Sequence, residues 1–207
     1  MSIAVYNPGR YAPSHPCRLP FPARHVVFIG ETGSGKSSII NLIAGKDITA
    51  VSCDAQPCTN AFASYDVSLD GRRYRLWDTP GLTKTSSFFW RKDRSLKTFL
   101  AERRGGMQLD LLVLCVRGNR VSQGPSRVYE AFCRTTRQIG IPVVIAVTHL
   151  EKTQPTMESW WQENEAKLGD LGLLFDGHAC LTCVSPLHRR WASQAEICTL
   201  ISTTSRQ

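Results

Sequence analysis

The stretch that decides the fold is Gly30-Glu31-Thr32-Gly33-Ser34-Gly35-Lys36-Ser37, which fits the pattern G-x-x-x-x-G-K-[ST]. A largely apolar run, 25–29, precedes this loop, and a second one, 38–44, follows it. A strand before the motif and a helix after it are the context in which such a glycine-rich loop cradles phosphate groups. The pattern therefore predicts a nucleoside-triphosphate site, and the competing interpretation is a glycine-rich turn that caps an ordinary helix.

Each residue type in the loop has a physical role. Glycines let successive backbone N–H groups point inward, and the N-terminus of the next helix adds a partial positive charge. We expect Lys36 to reach the β- and γ-phosphates and the Ser37 hydroxyl to ligate Mg²⁺. The residues expected to contact the nucleotide here are Glu31, Thr32, Gly33, Ser34, Gly35, Lys36, Ser37 and Ser38.

Length and composition favour a single α/β domain. The 207 residues are 42% hydrophobic, which is enough to fill one core. Residues 1–24 carry five prolines and no acidic residue, so we expect a basic, extended arm without a sheet ladder, either disordered or laid along the domain that follows at 25–207. An organellar presequence is the alternative for the arm, although its prolines oppose the amphipathic helix of such signals. Apolar runs long enough for a transmembrane segment are lacking, so we expect a cytoplasmic protein, or one held at an organelle membrane by a partner.

Charge and cysteine content argue against nucleic-acid binding, disulfides and a zinc site. The net charge of +8 comes from residues scattered among acids, so nucleic-acid binding is disfavoured. Eight cysteines in a chain with this phosphate loop favour free thiols over disulfides. Cys180 and Cys183 lie in the apolar run 179–184, which predicts a core strand, and no second pair at zinc spacing accompanies them.

The rest of the chain alternates predicted strands and helices. Asp70-Gly71 predicts a tight hairpin between strands at 61–69 and 72–77, and the continuous apolar runs 109–116 and 142–148 are typical of buried parallel strands. Helices are expected near 91–104, 123–139, 156–168 and 187–202. The last helix should bury one face, formed by Leu187, Trp191, Ala195, Cys198 and Ile201. This order predicts an α/β fold: a mostly parallel sheet with one antiparallel hairpin strand, helices on both faces, and the phosphate loop at the carboxyl end of its first strand.

A second motif, Asp78-Thr79-Pro80-Gly81, follows the hairpin strand. An aspartate at this strand end can hold Mg²⁺ through water, and the glycine lets its N–H approach the γ-phosphate. Spaced about 42 residues after Lys36, the motif indicates a GTPase with switch loops at 46–60 and 79–93. Such a switch needs a hydroxyl that closes over Mg²⁺ and the γ-phosphate. Thr59 is the best placed for this role, and Ser52 and Thr49 are weaker alternatives.

Base recognition is expected at Thr148-His149-Leu150-Glu151, where ordinary small GTPases carry [NT]-K-x-D. In that motif the aliphatic stem of the lysine covers the base, and the carboxylate of the aspartate accepts two hydrogen bonds from guanine. Glu151 can replace the aspartate, and the imidazole of His149 can stack on a purine, although a surface histidine at a strand end is the plainer interpretation. Ser185 would add a last contact with the base, but the proline that follows it, Pro186, argues against that assignment.

Together these residues resemble the septin-related GTPases, a group that includes the GIMAP proteins and the Toc receptors of the chloroplast envelope, and small fungal GTP-binding-domain proteins look similar. The resemblance spans about residues 25–185 and rests on the phosphate loop, the Asp78–Gly81 motif and the Thr148–Glu151 motif. Asn119-Arg120-Val121-Ser122 is similar to a box that holds an arginine near the dimer face. The resemblance implies a GTP/GDP and Mg²⁺ switch that often dimerises across its nucleotide sites. Without the long C-terminal extension that some relatives carry, we expect neither the membrane anchoring nor the filaments that such an extension supports.

The chemistry that follows is slow GTP hydrolysis. Leu82 stands where Ras-type GTPases carry the glutamine that orients water. An arginine supplied in trans raises the rate by about 10³ to 10⁵. Arg120 is the candidate for that role or for a dimer contact, and a solvated loop arginine is the alternative. With Lys36 and Thr59 it completes the predicted catalytic set. A homodimer across the nucleotide site is thus expected, with no effector indicated; an ATP-using enzyme and a non-catalytic scaffold are the rival functions.

Overall fold

The long apolar runs of the sequence become strands that are covered on both faces. The computed structural model describes residues 22–49, 62–82, 98–99, 109–118, 124–184 and 186–205, together with the backbone of Val5–Tyr6. The strands are β1 (Val5–Tyr6), β2 (Arg24–Gly30), β3 (Ala63–Leu69), β4 (Arg72–Asp78), β5 (Leu109–Arg117), β6 (Val143–Thr148) and β7 (His178–Cys180). They form one sheet in the order β1-β3-β4-β2-β5-β6-β7.

The sheet is parallel except at one edge. Strands β4, β2, β5, β6 and β7 run parallel, whereas β3 is antiparallel to β4 and β1 is antiparallel to β3. Asp70 and Gly71 turn the β3–β4 hairpin with φ of 49° and 76°, the backbone that a two-residue turn of this hand requires. The fold predicted from the sequence, a mostly parallel sheet with an antiparallel hairpin strand and helices on both faces, is confirmed.

Four longer helical segments cover the sheet in the described ranges, which also include the helical residues 98–99. Helix α1 is Lys36–Ala44, α3 is Ser159–Asp170 and α4 is Leu187–Thr204. Helix α2 begins as Gly124–Val128, passes through a π-helical turn at Tyr129–Cys133 and ends as Arg134–Gln138. Helices α1 and α4 pack on one face of the sheet, and α2 and α3 pack on the other. Alternate residues of β2 and β5 point into these two cores, which explains why residues 26–29 and 111–116 are all apolar.

Three local predictions were wrong. Strand β7 ends at Cys180 rather than Val184, because the chain leaves the sheet after only three paired residues. Leu187, Trp191 and Ala195 of the predicted buried face of α4 are exposed, the first two at 59% and 65%, because the face that packs on the sheet is turned from the predicted one. Its buried residues are Ser193, Ile197, Cys198 and Ile201. The arm was expected to form no sheet ladder, yet the two residues of β1 pair with β3.

Candidate functional site

The phosphate loop is built where β2 ends against β5. Gly30 has a φ of 152°, and a Cβ added there would lie 2.4 Å from the Cys115 carbonyl oxygen. Only glycine allows the chain to leave the sheet this close to its neighbour. The loop then turns through Gly33 and Gly35, both with positive φ, and helix α1 begins at Lys36. The backbone N–H groups of the first helical turn therefore face the carboxyl edge of the sheet.

Lys36 is held against the loop that it follows. Its Nζ donates to the carbonyl oxygens of Gly30, at 3.3 Å, and Glu31, at 3.1 Å. The side chain is only 6% exposed, so these hydrogen bonds offset part of the cost of burying the ammonium group. The positive charge lies over the inside of the loop, where the sequence predicted contacts with the phosphates.

Two hydroxyl groups of the loop are buried and make no hydrogen bond to the described protein groups. They are Oγ1 of Thr32 and Oγ of Ser34. A buried polar group without a partner is costly, and such groups in folded proteins commonly mark the place of a ligand or an ordered water. Ser38 is half-buried in the first turn of α1, and Gly33 is exposed.

Ser37 and Asp78 meet across 41 residues of sequence. The Ser37 Oγ donates to the Asp78 Oδ2 at 2.5 Å, and Asp78, at the end of β4, is 1% exposed. The negative charge of Asp78 also acts on Tyr65, whose pKa is raised first by burial and then by this charge. A hydroxyl and a carboxylate oxygen are ligands that suit Mg²⁺, so the pair fits the metal that the sequence predicted at Ser37 and Asp78.

The segment after Asp78 lies directly on the phosphate loop. The Leu82 N–H donates to the Gly30 carbonyl at 3.1 Å, and the Thr32 N–H donates to the Leu82 carbonyl at 3.0 Å. Gly81 packs so tightly here that an added Cβ would lie 2.6 Å from the Thr32 Cα. Leu82 is 2% exposed and packs with Val27 and other residues of the core. Its aliphatic side chain therefore has no means of orienting a water molecule.

Thr148 joins the base motif to the phosphate loop. Its hydroxyl lies 3.0 Å from the Ser34 carbonyl, 3.3 Å from the Val116 carbonyl and 2.8 Å from the His149 Nδ1. Because the hydroxyl proton goes to the carbonyls, we assign the proton between the two side chains to Nδ1, which then donates to Thr148. His149 adopts the left-handed conformation, with a φ of 62°, so this bond fixes the ring on a turned backbone.

Glu151 is half-buried, and its backbone is bonded by Arg189, a residue that the sequence analysis did not single out. The Arg189 Nη1 donates to the Glu151 carbonyl at 2.9 Å, which ties the base motif to α4. Cys183, in the loop before α4, has its pKa raised to about 12, chiefly by burial and further by the charge of Glu151, while Arg190 lowers it. Arg189 gave no signal in the sequence beyond its position between His188 and Arg190.

Asn41 is a second residue that sequence reasoning missed. Its Oδ1 accepts from the N–H groups of Ile48 and Thr49, and its Nδ2 donates to the Thr49 carbonyl. The Thr49 hydroxyl in turn donates to the Ser37 carbonyl at 3.1 Å. Asn41 therefore fixes the chain as it enters the expected switch loop at 46–60. Thr49, a weaker alternative for the switch hydroxyl, is engaged with the helix backbone in this arrangement.

Several expected residues lie outside the described ranges. They are Ser52, Thr59, Arg120 and Ser185, with most of both expected switch loops and of the expected helix at 91–104. The structure brings together the phosphate loop, Ser37 with Asp78, Gly81 with Thr32, and Thr148 with Ser34. No helix within the described ranges has both the length and the hydropathy needed to cross a membrane.

Residues 25–149, more than half of the chain, match the sequence model of a protein family described as 50S ribosome-binding GTPase. The chain belongs to this family of GTPases. Its similarity to the GIMAP-like GTPases is also confirmed in sequence, and its similarity to the Toc proteins is confirmed in fold. Immune-associated nucleotide-binding protein 7 of Arabidopsis thaliana is 32% identical over 142 residues, covering 67% of this chain and 46% of that protein. Immune-associated nucleotide-binding protein 3 of the same plant is 36% identical over 103 residues, or 48% of this chain and 30% of that protein.

Solved structures of GTPases share the fold. A dimerization-deficient mutant of Toc33 from Arabidopsis thaliana superposes with a TM-score of 0.65 at 17% identity, covering 88% of this chain and 84% of that one. Era from Aquifex aeolicus, bound to GDP and AlF4⁻, also gives 0.65, at 13% identity, covering 90% of this chain and 58% of that one. The chain spans less than half the length of the two curated relatives named above. The family favours guanine nucleotide over the ATP-using alternative.

Proposed function

We propose that this chain is a regulatory GTPase that binds GTP or GDP with Mg²⁺ and hydrolyses GTP slowly on its own. The observation that carries the proposal is the Ser37–Asp78 hydrogen bond of 2.5 Å beside a glycine loop with two buried hydroxyls that have no partner among the described residues. The loop fits a phosphate chain because its glycines turn backbone N–H groups inward and Lys36 brings a positive charge. Mg²⁺ would neutralise charge that develops on the β- and γ-phosphate oxygens.

Different residues are assigned to the phosphates, to the metal and to the base. Lys36 and the backbone of residues 33–38 bind and orient the phosphates, and Ser37 and Asp78 hold the metal, with Thr59 as the switch hydroxyl. Thr148, His149, Glu151 and Ser185 form the base side. The guanine ring N–H and amino group both donate, so one carboxylate at Glu151 can accept from both. Gly81 offers its N–H near the γ-phosphate.

Slow intrinsic hydrolysis follows from Leu82. Positioning and charge stabilisation are nearly all that a protein contributes to phosphoryl transfer, and Leu82 is buried in the core instead of facing the nucleotide. Efficient turnover then needs groups from a second molecule. We include a homodimer across the nucleotide site, with Arg120 acting in trans, as part of the proposal. Dimerisation is described as important for the GTPase activity of the chloroplast translocon components atToc33 and psToc159, which supports this part of the proposal.

The test of the function is nucleotide binding by the purified chain and its Lys36→Ala variant. Titration calorimetry with a non-hydrolysable GTP analogue and Mg²⁺ should show binding to the wild type and a loss of roughly 10- to 150-fold in the variant, because a charge-assisted contact is removed. An equal dissociation constant for the two proteins would contradict the assignment of the phosphate loop. ATP serves as the matched competitor, and preferential binding of ATP would overturn the guanine assignment.

The dimer is tested separately through the rate of hydrolysis. Activity per mole of protein should rise with protein concentration, and Arg120→Ala should flatten that rise while GTP binding persists. A specific rate that stays constant over about two decades of concentration, with a monomer in every nucleotide state, would contradict the trans mechanism and leave a scaffold or a separate activating protein.

A further inference from the structure

Arg117 is the last residue of β5 and lies at the edge of the sheet where the nucleotide site is. Along this strand, Leu111, Val113 and Cys115 pack into the core beneath α1 and α4, while the residues between them pack into the opposite core. The alternation of a strand places Arg117 on the same face as Cys115. That face carries the phosphate loop and the first turn of α1.

The neighbours of Arg117 join the two halves of the site. Arg117 is in register with Thr148 of β6, and the N–H of the next residue, Gly118, donates to the Thr148 carbonyl at 2.9 Å. The Thr148 hydroxyl in turn bonds to the Ser34 carbonyl of the phosphate loop. The backbone of Arg117 therefore lies where the phosphate loop and the base motif meet.

The guanidinium group of Arg117 is incompletely bonded by the protein. Its Nε is buried and has no hydrogen-bond partner within the described part of the chain. The hydroxyls of Thr32 and Ser34, on the neighbouring phosphate loop, share this property. An unpaired buried N–H of a charged group is costly, and beside the phosphate loop this one is placed to donate to a bound ligand. The residue as a whole is half-buried.

The base motif lacks the cation that ordinary small GTPases place there. His149 stands at the lysine position, and residues 148–151 contain no lysine or arginine. We propose that Arg117 supplies this missing cation, with its guanidinium contacting the bound guanine nucleotide where the nucleotide passes from the phosphate loop to the base motif. The planar guanidinium can donate to ribose or α-phosphate oxygens and can also stack on a purine. This inference rests on the proposed function and adds a specific residue to it.

The experiment compares Arg117→Met with the wild type and with Arg127→Met in the full chain. Arg127 is an exposed residue of α2 and serves as the matched control. Calorimetry with Mg²⁺ and either GDP or a non-hydrolysable GTP analogue should show a loss of roughly 10- to 150-fold in Arg117→Met for both nucleotides. The loss should be equal because the contact lies on the base side of the β-phosphate. Arg127→Met should bind as the wild type does.

Thermal unfolding without added nucleotide separates ligand contact from a structural role. Because the Nε is unpaired within the described protein, Arg117→Met should unfold at the wild-type temperature or above it. The stabilisation that GDP gives should shrink, and Arg117→Lys should recover part of it. Wild-type affinity in Arg117→Met, or a fall in unfolding temperature without nucleotide, would overturn the role of Arg117 and leave the GTPase assignment intact. If the wild type itself binds no guanine nucleotide, the proposed function fails first.

Discussion

Gly81→Ala is expected to separate the segment after β4 from the phosphate loop. The added Cβ would lie 2.6 Å from both the Cα and the Oγ1 of Thr32 and 2.9 Å from its N. Because carbon atoms in contact prefer about 3.5 to 4.0 Å, the two backbones would have to move apart by about 1 Å. Most of the atoms in contact belong to backbone or to a β-branched residue, so a side-chain rotation cannot relieve the clash.

The magnitude follows from the two hydrogen bonds that hold these segments together. They join Leu82 to Gly30 and Thr32 to Leu82, at 3.1 and 3.0 Å, and a shift of this size takes both beyond bonding distance. Each contributes about 0.5 to 1.5 kcal/mol net, so the free energy of unfolding should fall by about 1 to 3 kcal/mol. For a chain of this size the melting temperature should fall by roughly 2 to 12 °C.

Gly169→Ala is the matched control for this measurement. Gly169 lies in the exposed part of α3, and nothing within 4 Å meets an added Cβ. Alanine in a helix is favoured over glycine by about 0.5 to 1 kcal/mol, so this variant should gain stability. Thermal and urea unfolding followed by circular dichroism would show the two opposite signs. A Gly81→Ala protein that melts with the wild type would refute the idea that residues 81–82 brace the phosphate loop.

Three further outcomes are expected. Asp78→Asn should remove most of the Mg²⁺ dependence of binding of a GTP analogue, roughly a 10- to 150-fold effect, and equal dependence in calorimetry would exclude Asp78 from the metal site. Glu151→Ala should lower the preference for GTP over ATP and xanthosine triphosphate in competition assays; intact preference would move base reading to His149 or the backbone. Burial alone would raise the pKa of Asp176, but hydrogen bonds from Arg137 and the Val143 N–H outweigh it and lower that pKa. The pair therefore stabilises the fold above about pH 4 and is lost as pH falls further, so Asp176→Asn should flatten the acid side of the stability profile, which urea unfolding between about pH 5 and 2 would check.

The sequence by itself determined the fold and the family, because their signals are local. A glycine loop between a strand and a helix, an Asp-Gly turn and two continuous apolar strands are each set by neighbouring residues. Local signals do not determine where a strand ends or which face of a helix is buried. Strand β7 was predicted too long, and the buried face of α4 was predicted at Leu187, Trp191 and Ala195 instead of Ser193 and Ile197, since both depend on how the sheet is packed.

Only the tertiary structure decided how the parts of the site are held. Thr148 and Ser34 are separated by 114 residues, and Arg189 and Glu151 by 38, yet each pair shares a hydrogen bond. The position of Arg117 depends on the register of β5 against β6. No sequence spacing encodes these long-range contacts, because they form only when parallel strands end at one edge of the sheet and helices pack across it.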